Sequence, residues 1–487
     1  MIGLVSCGGG SGSNNPPPAG GDTFTEGSRL KARWQQAPGA PRMLVGWYDT
    51  QLRINCSFSP AYSGAGVAHQ DGGDFYCLPS LNSGAGDLFA DAACTQPAAD
   101  VGCDNWLVEL PATAESCDAK DRFFSAGDPI ASASIFVKNS DGCLGIAAAG
   151  RALPVSARKL GAEVPLASFV HARLTVDSGS ARIVRRIMSA DDGSSQVWGA
   201  WDNVRGEAVF APDWANLAPA IGPGKWQPER VVPFDRANDL FAEAGCTQPA
   251  AIFDACGSVS PKSVFHVESD SCTSIASYFE AGPDLTAGEV YNGSPGACRA
   301  APAETTDRYR FVAVGAAIAP SSFADVRSVT QGSGRARVAT AGTDTAVIGG
   351  DHFDYLVDGQ TGERCMPVTG ADGTLRCMPE ISTFGLYSDA GCSVQLFAWS
   401  GDTGTTCPVP APSMISIPET VASDGCGQTD RWHGFPVGPV HDGVVYAGAP
   451  GSCAALDATT RSTFVAYELG SELPAASFIE LATSNPF

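Results

Sequence analysis

Carboxylates, histidines and cysteines are the groups in this chain able to do chemistry, and their spacing says what kind. Two carboxylate series recur: Asp49, Asp202 and Asp358, and then Asp91, Glu243 and Asp389. A glycoside-hydrolysing acid pair would use such side chains. An active site is ordinarily built once, however, whereas a cap is built wherever the same turn occurs. Both series therefore read as caps at turns or strand ends. The six histidines, His69, His171, His266, His352, His433 and His441, recur at no common place, so no convergent metal set is expected. Asp71 and Asp74 bracket two glycines, but no complete EF-hand loop surrounds them. The Gly-x-Ser-x-Gly, His-Glu-x-x-His, phosphate-loop and dinucleotide-binding patterns are absent. No cofactor is expected.

The 17 cysteines include no Cys-x-x-Cys pair, which removes zinc-ribbon, thioredoxin and haem-attachment readings. Cys7 stands apart from the rest, and the remaining sixteen suit eight disulfides in an oxidising compartment.

The elements that position these residues follow from internal repetition. Arg29, Arg182 and Arg335 share a Gly-Ser-led context and are 153 residues apart in both intervals. "DLFADAACTQPAA", "DLFAEAGCTQPAA" and "GLYSDAGCSVQLF" align Cys94, Cys246 and Cys392, and "VPLASF", "IAPSSF" and "LPAASF" align Phe169, Phe323 and Phe478. Three tandem segments are therefore predicted, 27–178, 179–331 and 332–487, each carrying one four-cysteine set. The sets are Cys94, Cys103, Cys117 and Cys143; Cys246, Cys256, Cys272 and Cys298; and Cys392, Cys407, Cys426 and Cys453. Sequence order suggests pairing first to second and third to fourth, among the three connectivities that four cysteines allow. A further pair occurs in two segments only, which predicts Cys56–Cys77 and Cys365–Cys377. Val209 and Val231 take the matching places in the second segment.

Segments such as "SVFHVES", "YRFVAVG" and "STFVAYELG" are short, β-branched and aromatic, separated by Gly- and Asp-rich turns. No stretch holds a capped 3.6-residue apolar period over three turns. The expectation is an all-β chain of three disulfide-stapled units of about 150 residues. A β-propeller-like arrangement is favoured by the short joins between units, and separate β-sandwich or barrel modules are the alternative.

With 30 basic and 52 acidic residues, the net charge of −22 repels phosphate backbones, so nucleic acid is a poor partner. Leu4-Val5-Ser6-Cys7 resembles the lipobox of bacterial lipoproteins. That likeness implies lipidation of Cys7, and the absence of Asp after it implies delivery to the outer membrane. Residues 1–6 then read as the remnant of a signal peptide. The Gly/Ser/Asn/Pro run within 7–26 reads as a flexible tether. The whole pattern, with "GWYD", "CLP" and "LFADAACTQP", resembles cysteine-rich bacterial surface lipoproteins, which implies location and fold and carries no activity.

Trp198, Trp201, Trp214 and Trp226 crowd into the second segment, where the front disulfide is missing. They either fill the space of that disulfide or form an aromatic platform for a glycan or protein, with "RWHGF" at Arg431 a weaker candidate. The expected role is a non-enzymatic surface lipoprotein for binding, adhesion or scaffolding. The alternative is a surface or secreted hydrolase acting on polysaccharide through a carboxylate pair.

Overall fold

The computed structural model describes residues 22–61, 74–79, 88–100, 107–110, 121–139, 142–148, 157–211, 225–228, 231–233, 240–254, 262–269, 274–301, 309–344, 346–350, 354–379, 385–399, 411–421, 429–449 and 451–484. Among these the chain is almost entirely β, and the one α-helix is the four-residue Ala458–Arg461. Alternation explains the strands: in Ile183–Ala190, Val184, Arg186 and Met188 are buried while Arg185 and Ile187 between them are half-buried.

An inner set of strands comes from all three sequence segments. From the first come Leu30–Gln36, Met43–Asp49, Ile54–Pro60 and Asp74–Pro79, an antiparallel meander. His171–Val176 pairs with Asp74–Pro79 on one side and with Ile183–Ala190 of the second segment on the other. The meander continues through Ser195–Asp202 and Glu207–Phe210 to Gln227–Pro228. One 11-stranded sheet thus crosses the boundary at 178/179.

The third segment supplies Ala336–Gly342, Tyr355–Asp358, Arg364–Thr369 and Leu375–Pro379, led by Arg327–Gln331. The link to the second segment is Arg327–Gln331 itself, which pairs with Ala336–Gly342 just after Asp325 bridges Lys225. Ile479–Glu480 then pairs with Leu375–Pro379, and Ala482–Thr483, two residues on, pairs with Leu30–Gln36 of the first. The neighbour relations therefore return to where they began.

Each leading hairpin also packs its turn on another segment. The Gly39 carbonyl accepts from Ser333 N at 3.1 Å. Asp192 accepts from the amides of Arg29 and Leu30 at 3.0 and 2.7 Å. Arg185 donates to the carbonyls of Val347 and Ile348 at 2.7 and 3.0 Å. At the first of these joins a Cβ on Gly334 would lie 2.3 Å from the Pro38 carbonyl oxygen, so only glycine allows the backbones this close.

The cysteine-bearing stretches leave the inner strands and return, forming outer sheets. The first runs from Leu88 to Val164 and has seven strands, as does that of the third segment. The second divides into sheets of five and three. Each stretch returns through a 3₁₀ turn, Leu166–Ser168, Pro320–Ser322 or Ala475–Ser477, that drops Phe169, Phe323 or Phe478 into the core.

Cys56–Cys77 and Cys365–Cys377 are bonded across neighbouring inner strands, as the spacing predicted. The four-cysteine sets correct the order-based reading: Cys94 pairs with Cys143, Cys246 with Cys298 and Cys392 with Cys453, first to fourth. Pairings such as Cys94–Cys103 and Cys117–Cys143 are thereby overturned; Cys103, Cys117, Cys256, Cys272, Cys407 and Cys426 lie outside the described residues. The physical reason is the hairpin layout, which brings the Cys143 strand back beside the turn that holds Cys94. Loops of 49, 52 and 61 residues are closed in place of short ones, which in the chain-entropy picture constrains the unfolded chain by about 4 kcal/mol each.

A second correction concerns the missing front disulfide. Cys56 faces Pro79 and Cys365 faces Pro379, two residues beyond Cys77 and Cys377. In the second segment Val209 faces Pro228, so the place of the second cysteine belongs to Trp226 and not to Val231, whose strand pairs elsewhere. Val209 and Trp226 are both buried in one cluster, an apolar substitute for the bridge.

A non-reducing peptide map checks the connectivity: peptides joined through Cys94–Cys143, Cys246–Cys298 and Cys392–Cys453 are expected. Recovery of a Cys94–Cys103 peptide as the main species would overturn the hairpin layout.

Candidate functional site

The recurring carboxylates are engaged inside the fold. Arg29 holds Asp49 in a two-pronged ion pair, Nε to Oδ1 at 2.8 Å and Nη2 to Oδ2 at 2.6 Å, and the same guanidinium donates to the Ser168 carbonyl at 2.6 Å. Arg182 holds Asp202 and reaches Ser322, with Nε to Oδ2 at 3.0 Å. Arg335 holds Asp358 at 2.6 Å and donates to the Ser477 carbonyl at 2.8 Å. Each aspartate also caps the turn that follows it, accepting from the amides of Gln51, Val204 or Gln360 at 2.9 Å. The conserved logic of type and spacing is a clasp between the head of a segment and the 3₁₀ turn near its end.

The second series caps the cysteine turn. Cys94, Cys246 and Cys392 have φ of 52, 53 and 51°, the left-handed region that costs a non-glycine residue about 1 kcal/mol. The carboxylate three residues earlier steadies it. Asp91 accepts from Thr95 N and Gln96 N at 2.9 and 2.7 Å, and from the Thr95 hydroxyl at 2.7 Å. Glu243 accepts from Thr247 N at 2.6 Å, Gly245 N at 2.7 Å and the Thr247 hydroxyl at 2.9 Å, and these bonds pull its pKa down to about 2. Asp389 does the same with Ser393 and Val394.

Two histidines sit between carboxylates, whereas His441 lies between Glu468 and the Val444 carbonyl. His171 lies between Asp191 at Nδ1 and Asp74 at Nε2, 3.0 and 2.8 Å. His433 lies between Glu472 at 2.7 Å and Glu419 at 3.0 Å. Partial burial disfavours the charged His433 ring, but the bonds to Glu472 and Glu419 outweigh it and raise its pKa. Because the partners take opposite ring nitrogens, they cannot converge on one ion. Among the described residues no group of three His, Cys, Asp or Glu side chains is placed to hold a metal. His266 is buried, and His69 and His352 lie outside the described residues.

One acid pair belongs to a single segment and was missed by sequence reasoning. Glu109, in the strand Leu107–Leu110, hydrogen-bonds Asp121. Burial first, and then the Asp121 charge and hydrogen bond, push the Glu109 carboxyl up to about 7. Asp121 is buried, and its amide donates to the Ala61 carbonyl at 3.0 Å, where the outer sheet meets the inner strands. The register explains the singularity. Val164, Ile318 and Leu473, each five residues ahead of its phenylalanine, join Phe123, Tyr278 and Gly434. Those residues face Glu109, Phe265 and Ser416. Only the first segment places a carboxyl there. The two acids are in hydrogen-bond contact, whereas glycoside hydrolysis needs carboxyls about 5–9 Å apart with the sugar between them. Sharing a proton near neutral pH is what this geometry can do.

Three of the four tryptophans of the second segment lie among the described residues. Trp226 is wholly buried with Ile183, Ala200 and Val209. Trp198 packs edge-on against Phe75 at 5.8 Å and is half-buried, as is Trp201. Trp214 lies outside the described residues. Trp226 fills the place of the lost disulfide's second cysteine. In "RWHGF", Arg431 is exposed, while Trp432 and Phe435 are half-buried on a long hairpin.

Two measurements test the site. Arg29→Met leaves the fully buried Asp49 carboxylate without its cation and should lower unfolding stability by about 3 kcal/mol; a urea midpoint within error of wild type would refute the clasp. For Glu109 the folded carboxyl sits above its ordinary value of 4.5. The folded chain therefore keeps a proton that the unfolded chain releases, and stability falls as pH rises from about 4.5 to about 7. Glu109→Gln should match wild type at pH 4 and melt about 1–3 °C higher at pH 8. Equal differences at both pH values would show that no proton is shared.

Compared with known protein families, curated proteins and solved structures, the chain matches none at a meaningful level.

Proposed function

We propose that this chain is an exported, lipid-anchored protein of the bacterial cell envelope that serves as a rigid, non-enzymatic body for binding, adhesion or scaffolding. Its three segments are read as copies of one unit, joined radially in the propeller-like sense through shared strands. The observation that carries the reading is the fate of the chemically capable groups. The carboxylates of both recurring series, and ten of the cysteines, are engaged in clasps, turn caps and bridges that stiffen the molecule. Five disulfides indicate an oxidising location, extracellular or within the envelope. No described helix is long and apolar enough to cross a membrane. Attachment through Cys7 is the proposed means of holding the body at a surface, and the acidic net charge keeps it off nucleic acid.

Metabolic labelling of producing cells with radioactive palmitate tests the anchor. Wild type should take up label and partition into detergent, and Cys7→Ala should do neither. Equal partitioning of the two proteins, with no label in either, would remove the lipid from the reading.

A further inference from the structure

The first four described residues, Asp22 to Thr25, touch all three segments. Phe24 and Thr25 pair antiparallel with Gln196 and Ser195 of the second segment, and the Thr23 carbonyl accepts from Val197 N at 2.8 Å. On the first segment, Phe24 is buried and meets the Trp47 ring edge-on at 6.4 Å. Trp47 in turn donates from Nε1 to Gln196 Oε1 at 2.5 Å, tying the first segment to the second beneath the strand. Arg42 of the first segment donates from Nε to Asp22 at 2.9 Å, and its guanidinium lies over both Phe24 and Trp34, 5.2 and 5.4 Å from the ring centres.

The third segment closes the other side. A Cβ on Gly349 would lie 2.8 Å from the Thr23 methyl, and one on Gly350 would lie 2.7 Å from the Val197 carbonyl oxygen. Both glycines have positive φ, 65 and 119°. This turn can approach the strand only because neither residue carries a side chain. Four residues thus bring together an ion pair, a cation–π stack, a buried ring, a two-residue ladder and a close backbone approach.

We propose that residues 22–25 are a plug that locks the three segments to one another at the place where all three meet. Phe24 supplies the apolar contact, Arg42 covers it, and the Gly349-Gly350 turn lies against Thr23 and Val197. Taken with the proposed lipid tether, on which this consequence alone rests, a pull at Cys7 is shared by every segment.

Hydrogen exchange on the full chain carrying Cys7→Ser tests the plug independently of any lipid. Phe24→Ala and, separately, Gly349→Val are compared with the unaltered plug. Both variants should speed exchange at least about tenfold at Ser195–Asp202 and also at Ile348 and Ala341, which lie in another segment. The amides of Leu396 and Phe397 in the third outer sheet should not change. Acceleration confined to the residues paired with Phe24 and Thr25, in either variant that folds, would overturn the proposal. Loss of palmitate labelling would instead remove only the tether.

Discussion

A buried aspartate held by an arginine is the contact on which this architecture depends. Asp49 is inaccessible to solvent, and its cost of burial is met by two guanidinium bonds and by turn amides. The same arginine then binds a carbonyl 139 residues further on. The corresponding separations from Arg182 and Arg335 are 140 and 142. Between those points the chain makes an inner meander, leaves for the outer sheet and returns. The clasp ties that 3₁₀ turn to the head of its segment, and in the first and third segments the strand that follows the turn pairs with the same inner meander. A guanidinium suits this task because its planar fork grips the carboxylate with two parallel N–H bonds and still has an N–H for the carbonyl, a bidentate grip that an ammonium lacks.

Around the clasp, the disulfides and the core divide the work by location. Bridges across neighbouring inner strands are replaceable, since Val209 and Trp226 fill the same place with apolar volume. The bridge at the left-handed cysteine is present in all three segments, because it joins an outer turn to a strand about fifty or sixty residues away. Small outer sheets have little core of their own, the third holding Phe397, Ile415, Ile417 and Tyr467 as its main cluster, and a covalent link compensates for that.

The inner strands meet at three joins that differ in kind. Between first and second, and between second and third, the covalent chain passes through the join as His171–Val176 and Arg327–Gln331. Between third and first there is no such passage, and Ile479–Glu480 with Ala482–Thr483 bridges the gap by strand pairing alone. Ser484 adds side-chain bonds to Trp34 and Ala32. The close approach of Gly334 to Pro38 lies at this same join. Apolar packing of Ala37, Ala40 and Met43 against Val338, Leu356, Ile479 and Leu481 also holds this seam, but no covalent passage crosses it, which gives the plug at residues 22–25 its importance.

What the sequence determined by itself was local chemistry. The all-β class followed from short β-branched runs between Gly and Asp turns, and the turn caps at Asp91, Glu243 and Asp389 were legible because their partners lie four and five residues away. The bonds of Cys56 to Cys77 and Cys365 to Cys377 were legible because both cysteines vanish together in the second segment. Tertiary structure decided the rest. First-to-fourth pairing of the cysteine sets depends on how hairpins fold back, and sequence order carries no such information. Trp226 replaced a cysteine in register while Val231-Val232-Pro233 only looked as though it did, since pairing across strands sets equivalence and sequence spacing does not. Glu109 meets Asp121, and its carboxyl is pushed up, only when a hairpin brings the two together where the Asp121 amide meets the Ala61 carbonyl. Interactions within one turn are written in neighbouring letters. Those between strands become readable only when the sheet register is known.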